Sequence, residues 1–392
     1  MKNKNLFTNL LIFLFSIFTV AAQNNKIQFI KGNIQDKTLA VREASGLESE
    51  WLTEHAISFI LENKDLLGED RELEGLAVAT VLSIPNDYGT DKSDAQKMEL
   101  VNSLISIFKM FNSSNTVQIS VLSKYLTLRN VLPPEPLTNT LNDYLKNSIA
   151  TTKDAGVVKS VINTLGYIGN NISFTIIYNL LNDRRFSVFY PELEQSLVNL
   201  LPVSMNEALR IVHSKDFTQM RKIFDLIKKN NKISPNFLAE IAENVLNESI
   251  LIVGNSSEVT DAMVELQMDS IAVLSDNKWT RSSAVAVDFF SLAKIEYNSG
   301  AMSDSQMCKV INALVNIAPV GSVAPLTACL GELNGRKQSG KKVSEDVVLA
   351  VINTLGAIGD KSAFDTLLAV TYLDYQENVL SAARDALAGL RW

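Results

Sequence analysis

Residues 157–174 read VVKSVINTLGYIGNNISF, and residues 347–364 read VVLAVINTLGAIGDKSAF. Between Val161–Phe174 and Val351–Phe364, nine of fourteen positions are identical. Val157, Val158, Val161, Ile162, Leu165 and Ile168 recur at helical spacing and form one apolar face. Val347, Val348, Val351, Ile352, Leu355 and Ile358 do the same. Gly169 and Gly359 stand where that helix should end, where glycine accepts the left-handed cap conformation without Cβ strain. Gly166 and Gly356, one turn earlier, are expected to leave room for the returning helix. Phe174 and Phe364 then open a second apolar helix. One such pair cannot bury both of its faces, so it must stack on neighbours.

A weaker third copy, VINALVNIAPVGSVAPL, spans Val310–Leu326. Leu314 and Leu355 are 41 residues apart, a period that suits two-helix repeats of roughly 40–47 residues. The segment Val379–Leu390, VLSAARDALAGL, reads as the first helix of one more unit. The string Leu355–Asp360, L-G-A-I-G-D, resembles the HEAT-like repeat of the phycobilisome-lyase type, and Leu165–Asn170 is similar with Asn170 in place of Asp360. The resemblance covers mostly 150–182 and 303–392. It implies an α-solenoid of helix pairs with two extended surfaces, and the repeat itself carries no catalytic group. The chain departs from the family's pattern at two places. Val158, Val348 and Leu380 stand where that family often has Arg, and Asn171 and Lys361 replace its usual Pro. Contacts between repeats are therefore expected to be more apolar than a lateral polar ladder.

The composition agrees with an all-α chain. Its 392 residues contain 17 Gly and 9 Pro, about 7% together against about 12% in an average chain. Few turns are coded, and no segment sustains strand alternation. Helices are expected over Ser49–Lys64, Glu69–Leu82, Asp94–Phe111 and Thr116–Leu128. More are expected near 136–149, 190–201, 204–213, 216–229, 234–247, 257–274 and 280–297, for about nineteen in all. The tract Leu132-Pro133-Pro134-Glu135-Pro136 marks a bend, or Pro134 begins the next helix. The expected organisation is a leader at 1–22, an N-terminal helical segment at 23–132 continuous with the array, and HEAT-like repeats at 133–392.

The first residues read as an export signal. Lys2 and Lys4 precede an apolar run from Leu10 to Val20, and Val20-Ala21-Ala22 supplies small residues for cleavage before Gln23. An uncleaved anchor would need a run of about 20 residues, longer than this one. No Cys lies near the cleavage point, so a lipoprotein is not expected. The mature chain is expected to be periplasmic or secreted, with no integral membrane span. Loss of Lys2 and Lys4 takes the formal charge from −7 to −9. So acidic a chain is a poor nucleic-acid binder, because phosphate must be neutralised by Lys and Arg.

Candidate chemistry is sparse. The two histidines, His55 and His213, fall in different expected helix pairs. The motifs H-E-x-x-H, C-x-x-C, G-x-S-x-G and a phosphate-binding glycine loop are absent from the sequence, and no metal or cofactor is expected. Cys308 and Cys329, the only cysteines, either pair as a disulfide or sit as buried free thiols. The run Gly335–Lys342 reads as a basic loop, in which Arg336, Lys337, Lys341 and Lys342 could meet an acidic partner or simply be solvated. The acidic run Glu43, Glu48, Glu50, Glu54, Glu62, Asp65, Glu69, Asp70, Glu72 and Glu74 reads as a binding stripe or a solvated face. Arg221, Lys222, Lys228, Lys229 and Lys232 form a basic helix end that also complements the helix dipole.

The reading that follows is a non-enzymatic scaffold of the bacterial envelope. It would present a concave face, built from the second helices, to a protein partner. Two others stay open: an enzyme or enzyme subunit framed by the repeats, and a groove binder of glycan or small molecule with aromatics such as Trp51, Trp279 and the tyrosines exposed along the groove. Truncation before Val379 is expected to expose the apolar face of the preceding helices and cause aggregation. Size-exclusion chromatography and thermal melting check this; a monomer with unchanged melting would contradict stacking at that end.

Overall fold

The computed structural model describes residues 25–391, apart from 90, 148, 150–153 and 257–258. The expected leader, with Lys2, Lys4 and its cleavage point, lies outside the described residues. The fold is all-α, and no strand occurs among the described residues. One isolated bridge joins Asp360 and Arg391. Contacts divide the chain into two compact units, one ending at Ser204 and the other running from Met205.

In the first unit, residues 25–31 form α1. Then come α2 (Ile34–Glu43), α3 (Leu47–Leu67), α4 (Arg71–Ser83), α5 (Asp94–Met110) and α6 (Asn115–Thr127). They are followed by α7 (Glu135–Asn147), α8 (Ala155–Ile168), α9 (Asn171–Asn182) and α10 (Tyr190–Leu200). The even-numbered helices α2, α4, α6, α8 and α10 pack each against the next, and so do the odd-numbered α3, α5, α7 and α9. Across the two layers, α3 packs on α4, α5 on α6, α7 on α8 and α9 on α10. The buried faces meet between the layers: Val157, Val158, Val161, Ile162 and Leu165 of α8 are all at most 1% exposed.

The second unit holds α11 (Met205–Val212), α12 (Phe217–Lys228), α13 (Pro235–Gly254), α14 (Asp261–Asp276) and α15 (Ser283–Ser299). It continues with α16 (Asp304–Ile317), α17 (Val323–Gln338), α18 (Glu345–Ile358), α19 (Phe364–Val370) and α20 (Glu377–Ala388). The same rule holds here. Even-numbered α14, α16, α18 and α20 pack in series, and odd-numbered α11 on α13, α13 on α15 and α17 on α19. The matching sequence stretches fall on α8–α9 and on α18–α19, one in each unit.

The expected helices are present, with local differences. Residues 25–31 and α2 were not anticipated, since IQDKTLAVRE is mostly polar. The local signal was an N-terminal cap: Asn33 accepts from the Asp36 backbone at 2.9 Å, and the Asp36 side chain accepts from the Asn33 N–H at 3.1 Å. The helix expected at 234–247 runs on to Gly254. The basic run is not wholly a loop, because Gly335–Gln338 form the last turn of α17. In the proline tract, α7 begins at Glu135, and the buried Tyr125 hydroxyl donates to Pro133 O at 2.7 Å.

The glycines act differently from expectation. Gly359 does cap α18 in the left-handed region, with φ +73°. Gly169 does not, with φ −69°; a Cβ there would meet Leu165 O at 2.4 Å. Gly166 and Gly356 do not make room for the returning helix. A Cβ on Gly166 would stand 2.7 Å from Ser196 Oγ of α10, and one on Gly356 would stand 2.8 Å from Ala386 Cβ of α20. Both positions therefore let an even-numbered helix approach the next even-numbered helix.

Contacts between successive pairs are also more polar than expected. Val158 and Val348 are buried as foreseen. Yet Ser114 Oγ donates to Glu74, Ser196 Oγ to Ile162 O, Lys228 to Asp269, and Asn316 to Ser275. Thr354 of one repeat copy reaches Asn312 of another at 3.5 Å. The partners in these bonds are 34 to 42 residues apart, one helix pair along the chain. Lateral bonding is therefore present, made by scattered Ser, Asn, Lys and Thr in place of one repeated residue.

Two substitutions separate packing from propensity. Gly356→Ala is expected to lose about 1–3 kcal/mol through overpacking against α20. Gly331→Ala, at a helical glycine of α17 with nothing within 4 Å of its Cβ, is expected to gain about 0.5–1 kcal/mol. Urea denaturation of both variants checks the opposite signs.

Candidate functional site

Among the described residues, three clefts lie between successive odd-numbered helices: α3 and α5, α7 and α9, α15 and α17. The first is a cleft of about 480 Å³ in the first unit. Helical spacing places Glu50, Thr53, Glu54, Ile57, Ser58 and Leu61 of α3 along one wall. Gln96, Glu99, Leu100 and Ser103 of α5 form the other, and Ile84, Pro85 and Tyr88 come from the α4–α5 connection.

That connection is held from beneath. Lys124 of α6 is buried, and its Nζ donates to Ile84 O at 2.7 Å and to Asn86 Oδ1 at 3.0 Å. Burial pushes the Lys124 ammonium below its usual range. The Tyr88 N–H bonds back to Pro85 O, and Gly89 follows at φ +100°, a conformation that suits glycine. Ser93 then caps α5 through a capping box with Gln96. Thr53, on the α3 wall, donates to Ser49 O at 2.7 Å and meets Ser83 Oγ at 2.9 Å.

The electrostatics are acidic. Lys92 pairs with Glu50, and its Nζ stands 5.9 Å from the Tyr88 ring centre. Hydrogen bonding to Glu50 holds the Lys92 ammonium above its usual range. Glu54 and Glu99 are exposed, and no ion pair engages either among the described residues. Burial pushes the Tyr88 phenol up, and the Glu54, Glu50 and Glu99 carboxylates add to the rise while Lys92 opposes it. At the rim, the His55 ring stacks on Trp51 with centroids 3.7 Å apart, and its Nδ1 lies 2.9 Å from Trp51 O.

The second cleft, about 540 Å³, is apolar, with Leu145, Ile149, Ile172, Ile176, Leu180 and Phe186 among its lining. Arg185 at this cleft is bound to Asp183 through Nη2 at 2.5 Å. The third is a crevice of about 20 Å³ beside Cys329. Cys308 and Cys329 are both free thiols. Burial pushes Cys329 to about 11 and Cys308 upward as well, so both stay protonated at neutral pH.

The residues singled out from sequence are dispersed. Arg336 donates to Asn298 Oδ1 at 3.2 Å from both Nη atoms. Lys337 pairs with Glu345 at 3.1 Å and covers the Tyr375 ring at 4.9 Å. Lys341 and Lys342 are exposed between α17 and α18. Arg221 and Lys228 of the basic helix end both bind Asp269, at 2.9 and 2.8 Å. The acidic run serves several purposes. Asp70 caps α4, Glu48 accepts from Asn25, Glu72 from Gln35 and Glu74 from Ser114. Only Glu50 and Glu54 of that run reach the cleft. Tyr88 is one of the tyrosines expected along a groove, whereas Glu99 carried no sequence signal, since its place at the cleft arises only when α5 lies beside α3.

The two histidines stand in different units, His213 bonded to Glu248 at 2.8 Å. Among the described residues, no group of three His, Cys, Asp or Glu side chains could hold a metal ion. No helix among them is long and apolar enough to cross a membrane. Neither Trp51 nor Trp279 lines any of the three clefts; the Trp279 indole donates to Glu243 at 2.7 Å. No protein-family model matches the chain, and no curated protein matches it.

Replacement of Lys124 by Met should free Ile84 O and Asn86 beneath the cleft and cost about 1–3 kcal/mol. Hydrogen exchange should accelerate first in the 84–93 connection; uniform protection there would show that Lys124 does not anchor it.

Proposed function

We propose that this chain is an exported, non-enzymatic interaction scaffold built as a HEAT-like solenoid, and that it binds a protein partner on the face of its odd-numbered helices. The observation that carries this reading is the position of three clefts among the described residues, each between successive odd-numbered helices. The repeated sequence, its two-layer packing and the one-pair spacing of lateral bonds support the HEAT-like assignment. The leader motif supports export to the periplasm or exterior. A stacked array offers a long surface without rearrangement, which keeps the ordering cost of association low.

Side chains that fill the seams provide the test. Ser103→Trp fills the first cleft, Thr175→Trp the second, and Asn163→Trp adds equal bulk on the exposed face of α8. Chemical cross-linking in intact cells should recover one stoichiometric partner with the unaltered chain and with Asn163→Trp. Recovery should fall at least tenfold with one of the cleft variants. Absence of a stoichiometric partner, or loss only with Asn163→Trp, would reject the proposal.

A further inference from the structure

We infer that the cleft between α3 and α5 receives a lysine or arginine side chain from a basic segment of a protein partner. The inference rests on the odd-numbered face being the partner face, and it names the chemistry recognised there. One ammonium of the chain already stands beside two residues of the lining. Lys92 pairs with Glu50 beside the Tyr88 ring, and its side chain is only 14% exposed. A long apolar stem with a cationic head thus fits this wall, by ion pairing and cation–π attraction together.

Glu54 and Glu99 repeat the carboxylate half of that arrangement without its cation. Both line the same cleft as Tyr88. Lys92 and Glu50 cancel, which leaves the cleft with two uncompensated carboxylates beside the apolar Ile57, Ile84 and Leu100. An anion would be repelled. A neutral apolar ligand would desolvate carboxylates without pairing them, which is costly. A cation on an aliphatic stem meets both parts of the lining. The volume of about 480 Å³ exceeds one side chain, so residues flanking the lysine or arginine also fit, which favours a peptide segment over a free amine.

The chain as a whole is acidic, with net charge −7, so the test must separate the cleft from the background. The probe is a fluorescein-labelled dodecapeptide with three lysines among alanines, titrated with the purified full chain and read by anisotropy. Glu54→Gln/Glu99→Gln should weaken binding about tenfold, and Glu54→Lys alone should do at least as much. Acetylation of the peptide lysines should abolish the cleft-dependent part. The control Glu135→Gln/Glu194→Gln removes two exposed carboxylates elsewhere in the same unit and should change affinity less than twofold. Equal loss in the control, equal binding of the acetylated peptide, or an unchanged affinity in both cleft variants would overturn the inference. Cadaverine binding as tightly as the peptide would overturn the choice of a protein segment. If the partner captured in cells is lost with Ser103→Trp yet kept with Glu54→Gln/Glu99→Gln, the odd-numbered face stands and the charge recognition falls.

Discussion

A helix that is apolar on two sides has to find two partners, and its neighbour in a helix pair supplies only one. In this chain the second partner is the next helix of the same layer. The approach leaves no room for a Cβ where α8 meets α10 and where α18 meets α20. At both contacts a glycine backbone faces a small side chain: Gly166 against Ser196, and Gly356 against Ala386. A Cβ at either glycine would overlap its neighbour, and a helix shifted outward would uncover Val161 or Val351, which are fully buried. The rest of each unit is built around that spacing.

Polar chemistry follows the same geometry. Ser196 uses its hydroxyl to bond Ile162 O of α8, so the small residue that permits the approach also bonds across it. Caps take part as well. Asp154 accepts the backbone N–H groups of α8 and also the Asn115 amide from α6. Ser344 at the start of α18 bonds Asp304 at the start of α16. At Asp154 one side chain thus caps the start of its own helix and ties it to the preceding helix of the same layer. This explains how the array keeps lateral bonds without the Arg that resembling repeats carry, and why no single residue type marks them in the sequence.

The legibility of the chain divides along the same line. Helix existence and the buried faces were readable, because periodicity along one helix is a local property. The function of Gly166 was not, since the residue it admits lies thirty positions away on α10, and a returning helix was the nearer guess. Gly169 misled for a local reason: Asn170 caps α9 at once, so the chain turns with an extended glycine and needs no left-handed one. The acidic run from Glu43 to Glu74 shows the limit for sites. Ten carboxylates look alike in one dimension, yet packing spends them on caps, lateral bonds and one cleft. Tyr88 and Glu99 join Glu54 only through the α3–α5 seam.

The seam itself follows from the asymmetry of the two layers. At α8–α10 and α18–α20 the even-numbered helices meet through glycine, serine and alanine. The clefts between odd-numbered helices are lined by larger side chains such as Ile57, Leu100, Leu145 and Ile176. Even-numbered neighbours pack more extensively than odd-numbered ones, and the three clefts lie on the odd-numbered layer. Their chemistry is then set by whichever residues fall on the two walls. Carboxylates and Tyr88 make the first seam selective for cations, and isoleucine and leucine make the second apolar. Exposed positions on the walls, such as Glu54, Glu99 and Thr175, can change without touching the Gly166 or Gly356 contacts. Recognition on those walls is therefore free to diverge, while the glycine contacts of the even-numbered layer are held by packing.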